Sequence, residues 1–112
     1  MNKSVIKFWG SESWIVNNEF YCFKELYLLK DKFCSLHYHK QKDETFIIQS
    51  GIVGMEVDSV KRIMSVGESI RIKPNVIHRF TGIQDSIIYE VSTHHDDLDS
   101  YRLQPSGEFT QE

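Results

Sequence analysis

The sequence predicts an all-β fold, a single antiparallel β-barrel or jelly-roll sandwich formed by residues 1–112 as one domain. Short apolar runs rich in Ile, Val, Phe, Tyr and Thr recur along the chain, a composition that suits a pleated, half-buried surface. Turn signals separate these runs at short intervals, and no stretch sustains a helical apolar period over successive turns. With 112 residues there is chain enough for one modest core.

Taken in order, strands are expected over 14–16, 20–29, 33–39, 44–50, 52–58, 60–65, 69–73, 77–82 and 86–93. Alternation supports several of them: Glu44, Phe46 and Ile48 share one face, as do Ile70 and Ile72. Gly51 and Gly67 fall where strands must reverse. In KPNV (73–76), Pro74 and Asn75 hold the second and third positions of a turn, the chemistry of a type II turn with positive φ at Asn75. The acidic segment 95–101 is the one expected helical turn, capped by Asp96 or Asp97. The final stretch, SGEFTQE, is polar and expected to fray.

Composition excludes several classes of function. The net charge is -3 and the basic residues are scattered, so nothing looks like a nucleic-acid footprint. No apolar stretch approaches a membrane span. Cys22 and Cys34 lack a zinc or redox spacing and sit in apolar segments, which fits reduced, buried thiols in a cytoplasmic protein.

The chemistry concentrates in HYHKQKDE at 37–44. On a strand, His37 and His39 project from one face, and Tyr38 points away. Glu44 can return to the same point, and His78 arrives from a separate segment after the Pro74–Asn75 turn. Three imidazoles and one carboxylate suit one divalent metal ion per chain, whether zinc, iron, manganese or nickel. Because neutral imidazoles are the ligands, affinity is expected to fall as pH drops below roughly 6.5. Each residue alone has a plainer reading: an exposed H-x-H, a solvated carboxylate, a core histidine. Their spacing relative to the glycines and the turn is what points to a shared ion.

That spacing resembles the two motifs of the cupin superfamily. His37-Tyr38-His39, four residues, Glu44, six residues and Gly51 fit the first motif. Gly67, five residues, Lys73-Pro74-Asn75, two residues and His78 fit the spacing of the second. Asp31 stands where the first motif opens with glycine, Lys73 takes the usual proline position, and Asn75 takes a glycine position. Asp and Asn tolerate left-handed backbone, so these turns are expected to survive. The resemblance implies a double-stranded β-helix with His37, His39, Glu44 and His78 as metal ligands inside the barrel.

Residues 7–51 and 67–102 also look like the cupin module of type II mannose-6-phosphate isomerases. Trp9-Gly10, Arg79 after the second-motif histidine, Glu90-Val91, and Asp99 with Arg102 carry that likeness. One departure is His37, where that module has glutamine. The resemblance implies an isomerase or epimerase acting on a sugar or sugar phosphate. A non-catalytic carbohydrate-binding module and a non-haem iron dioxygenase remain as alternatives.

Further candidates follow from side-chain chemistry. Arg79, Arg102 and Lys40 could bind an anionic substrate. Glu90 or His94 could move a proton beside the ion. His94 and His95 are adjacent on extended chain, so at most one points into a shared site. Trp9, Trp14, Phe20, Tyr21 and Phe23 suit the core or a subunit interface. The apolar N-terminal edge formed by Trp14, Phe20 and Phe23 points to a homodimer.

Overall fold

The computed structural model describes residues 3–110. Thirteen strands follow one another among these residues: β1 Lys3–Lys7, β2 Gly10–Asn17, β3 Cys22–Leu28, β4 Lys32–Phe33, β5 Leu36–Tyr38, β6 Glu44–Ser50, β7 Ile52–Val57, β8 Val60–Ser65, β9 Ser69–Ile72, β10 His78–Gly82, β11 Ser86–Ser92, β12 Tyr101–Gln104 and β13 Gly107–Glu108. Every pairing is antiparallel. One sheet runs β1-β2-β3-β11-β6-β9. The other joins β12, β5, β10, β4 and β13, with β7 and β8 extending from β10. Two sheets facing each other across a shared core give the expected jelly roll.

The core follows from period-2 alternation. β3 buries Cys22, Lys24, Leu26 and Leu28, β6 buries Glu44, Phe46 and Ile48, and β10 buries His78 and Phe80. Leu26, Leu28, Ile48, Val53, Met55, Met64, Ile72 and Ile88 fill the space between the sheets, with Trp9 edge-on to Phe80. Each fully buried aliphatic side chain contributes about 1.5–3 kcal/mol.

The turns obey the sequence chemistry. Gly51 has φ 84°, and a Cβ there would lie 2.5 Å from the Asp85 carbonyl oxygen. Asn75 has φ 70° and Asp31 φ 67°, so both substitutes for motif glycines adopt the left-handed backbone expected of them. Asp96 caps a single 3-10 turn, Asp97–Asp99, by accepting from the Leu98 amide. No helix among the described residues is long and apolar enough to cross a membrane.

Three expectations need correcting. The 33–39 run is two strands, β4 and β5, both docked on β10. β1 was not foreseen, because KSVIK is too polar to signal a strand and is held by pairing with β2. The C-terminal stretch is not frayed through residue 109. β13 pairs with β4, and the Phe109 amide donates to the Asp31 carbonyl. The expectation for residues 111–112 lies outside the described residues.

Candidate metal centre and its cavity

β5 carries His37, the next residue but one is His39, and His78 opens β10 directly opposite His37. The Asn75 amide donates to the His39 carbonyl, so the turn of the second motif is tied to the end of the first. One ring nitrogen from each of His37, His39 and His78 lies within 4.8 Å of the others. Glu44, at the start of β6 in the opposite sheet, reaches across: its Oε2 is 3.2 Å from His39 Nε2 and 3.2 Å from His78 Nε2.

Hydrogen bonding sets the tautomers. A carbonyl oxygen can only accept, so a ring nitrogen bonded to one carries the proton. His37 Nδ1 bonds the Ser35 carbonyl at 2.7 Å, His39 Nδ1 the Asp99 carbonyl at 2.8 Å and His78 Nδ1 the Val76 carbonyl at 2.9 Å. In the neutral rings each Nε2 is then a bare lone pair, the arrangement that orients imidazoles toward a metal. The lone pairs of His39 and His78 face a carboxylate oxygen with no proton to share. Glu44 Oε2 and His78 Nε2 are buried and without a hydrogen-bond partner. Such orphaned acceptors are costly unless a cation sits among them, so the donor set fits a divalent ion.

Electrostatics point the same way. Burial, then the neighbouring His78, lowers the His37 imidazole to about 3, which keeps it neutral. That places proton competition at His37 well below the 6.5 expected of an ordinary histidine. Burial alone would raise the Glu44 carboxyl, but the Lys42 ammonium holds it well below its usual range.

His37, His39 and Glu44 form part of the wall of a cavity of about 570 Å³. Among the sequence candidates, Glu90 and Arg102 also line it. Glu90 is buried, and its Oε2 is ion-paired with Lys42 Nζ at 2.7 Å.

The other candidates are elsewhere. Arg79 spends its guanidinium on the carbonyls of Cys34 and Pro105 and on Gln104, outside the cavity wall. It follows His78 on β10, and alternation sends it to the opposite face. Lys40 is exposed, with its ammonium over the Tyr101 ring. His94 is exposed and bonds the Asn18 carbonyl, whereas His95 lines the cavity. Trp14 is covered by its own chain, Phe23 packs on Tyr89, and Phe20 stays exposed. Both cysteines are free and buried, and burial lifts the Cys34 thiol to about 12.

Residues 28–92 match the Cupin domain family, more than half of the chain. The chain belongs to the cupins. Solved structures agree on the fold. KdgF from a Halomonas species has a TM-score of 0.78 and 13% identity over 87% of this chain and 88% of that one. A Streptomyces nucleoside dehydratase has a TM-score of 0.81 and 9% identity over 93% and 86%. CapF of Staphylococcus aureus, a capsular polysaccharide assembling protein, has a TM-score of 0.77 and 15% identity over 93% of this chain and 34% of its own. No curated protein matches the chain.

In this cupin, sequence reasoning missed the buried lysines. Lys24 and Lys42 are 1% and 4% exposed and both line the cavity with Glu12. For Lys24 a signal existed: it alternates in phase with Cys22, Leu26 and Leu28, a lysine on an inward face. Lys42 lies in a loop and had no such signal. It is placed by Asp99, whose carboxylate accepts from the amides of Lys40, Gln41 and Lys42.

Proposed function

We propose that His37, His39, Glu44 and His78 hold one divalent metal ion, and that the cavity beside it serves an isomerase or epimerase acting on a sugar or sugar phosphate. The observation that carries the metal reading is the unbonded Glu44 Oε2 facing two lone-pair nitrogens at 3.2 Å. A divalent ion in such a site supplies a Lewis acid toward carbonyl and hydroxyl oxygens of a substrate. The sugar reading is supported by the likeness of motif residues to the mannose-6-phosphate isomerase module. It is also supported by two structural neighbours: a nucleoside dehydratase solved with uridine and a capsular polysaccharide assembling protein.

Within this reading Glu90 is the base. Its Oε2 takes the proton from the hydroxyl-bearing carbon beside the substrate carbonyl and returns it to the carbonyl carbon, while the hydroxyl proton passes to the carbonyl oxygen. Lys42, 2.7 Å away, orients that carboxylate and balances its charge. Arg102 meets an anionic group at the rim. His94, Arg79 and Lys40 have no part in it, because their side chains are occupied or exposed elsewhere.

Metal analysis of protein purified without a metal-binding tag tests the first half. One equivalent is expected in the wild type and none in His78→Ala; unchanged binding by His78→Ala overturns the site. Incubating metal-loaded protein with a panel of aldose phosphates tests the second, with ketose read by NMR. No turnover with any of several metals removes the isomerase, and tight binding without conversion transfers the reading to a carbohydrate-binding module.

The reading includes a cytoplasmic homodimer. Ile6 on β1, Phe8 just after it and Phe20 in the turn between β2 and β3 are exposed and offer apolar surface, in place of the covered Trp14. A sedimentation mass near twice the 13.2 kDa of the chain is expected, and the chain mass itself at micromolar concentration counts against it.

A further inference from the structure

Lys24 is the most buried lysine of the chain, 1% exposed, on the inward face of β3. Its ammonium lies 3.6 Å from Glu12 Oε1 and 4.0 Å from Glu90 Oε2, both beyond hydrogen-bond length. Its other neighbour is the Trp14 ring, 4.1 Å from the ring centroid, which supplies no oxygen. A lysine ammonium has three protons to donate, and these two ion pairs balance its charge while leaving room for closer acceptors. Lys24, Glu12, Glu90 and Trp14 all line the cavity, so that is where closer acceptors can enter.

We propose that Lys24 is a substrate-binding residue, donating to neighbouring hydroxyl groups of a sugar that in turn donate to the Glu12 and Glu90 carboxylates. This rests on the sugar reading above and adds the polarity with which the sugar enters. Carboxylate, ammonium and carboxylate lie side by side on β2, β3 and β11, an acceptor–donor–acceptor row. A hydroxyl both donates and accepts, so two adjacent hydroxyls satisfy such a row. A phosphate dianion or a carboxylate only accepts, and here it would meet two like charges. The row therefore selects the uncharged hydroxyl-bearing part of the ligand. An anionic group is left to the other cations of the same cavity, among them Lys7 and Arg102. Glu12 is fixed for this role by Trp14, whose Nε1 donates to its Oε1 at 2.8 Å.

Tryptophan fluorescence provides the test, because the chain has two tryptophans and both line the cavity. The full chain, metal-loaded and metal-free, is titrated with hexoses and pentoses, with their phosphates, and with inorganic phosphate. Saturable changes are expected with at least one free sugar. Lys24→Met, nearly the same shape, is expected to weaken that sugar about 10-fold or more, the loss typical of a charged hydrogen bond. Arg102→Ala is expected to weaken the sugar phosphate more than the free sugar. Should Lys24→Met fold poorly, the Lys24 ammonium nitrogen resonance of the wild type is expected to shift on sugar titration. Equal sugar affinity in Lys24→Met, or an unmoved resonance, overturns the role of Lys24 while the sugar reading stands. Inorganic phosphate losing as much affinity as the sugar in Lys24→Met overturns it too, by making Lys24 an anion site. No saturable response to any sugar removes the sugar reading and this inference with it. Metal binding is scored separately, so its failure leaves both distinguishable.

Discussion

The two ends of the barrel use the same strands and the same inward faces, yet one is a core and the other a site. Along β3 the inward residues change from Lys24 to Leu26 and Leu28, and along β11 from Glu90 to Ile88. On β6 they change from Glu44 to Phe46 and Ile48, and on β10 from His78 to Phe80. Pairing matches the layers in part: Lys24 stands opposite Glu90, and Leu26 and Ile48 both stand opposite Ile88, while Glu90 meets Phe46 and Glu44 meets Ile72 where the layers join. A strand thus runs from an apolar layer that holds the sheets together into a charged layer that they enclose. The apolar end supplies the folding energy, and the polar end relies on it to hold buried charges in place.

The sharpest way to break that contrast is to unbalance the polar end. Lys42 lies 3.4 Å from Glu44 and 2.7 Å from Glu90, and it is buried with them. Lys42→Met leaves both carboxylates uncompensated and is expected to cost about 3–5 kcal/mol by urea unfolding. A cost below about 1 kcal/mol would mean that the polar layer does not depend on charge balance.

At the apolar end, Leu26→Ala is expected to cost about 2–5 kcal/mol, with metal stoichiometry per folded molecule unchanged. Loss of metal from the folded variant would show that the two layers are not separable.

Metal should strengthen the polar end alone. Free metal at a hundredfold its dissociation constant is expected to stabilise the wild type by about 2.7 kcal/mol, seen as a raised Tm. His78→Ala should show no such shift.

Acid provides the mildest probe. The folded His37 imidazole sits near 3, below its ordinary 6.5, so between those values the unfolded chain binds a proton that the fold excludes. Stability of the metal-free protein is therefore complete above about 6.5 and declines as pH falls toward 3. Glu44, held below its ordinary 4.5, acts in the same direction, because its carboxylate is favoured in the fold and protonates first in the unfolded chain. Stability that rises on acidification would contradict both.

Much of this was legible because it is local. A period of two puts His37 and His39 on one face, and Asn75 and Asp31 tolerate the backbone their turns require. Glu90 shares the inward face of β11 with Ile88, which a period of two already implies. The signals failed where a side chain's surroundings come from distant chain. Arg79 and His94 looked poised for the site by their nearness to motif residues. Alternation and the carbonyls of Cys34 and Asn18 take them elsewhere.

By itself the sequence determined most of the strands, the turns that reverse them, and the motif residues that converge, because these depend on residue type and on spacing within short segments. Tertiary structure alone decided the rest. Glu12, Lys24 and Glu90 form a row only once β2, β3 and β11 lie side by side. Lys42 becomes a buried counter-ion only because Asp99, 57 residues away, ties down its loop. Burial and charge balance are properties of that assembled space, and no single segment carries them.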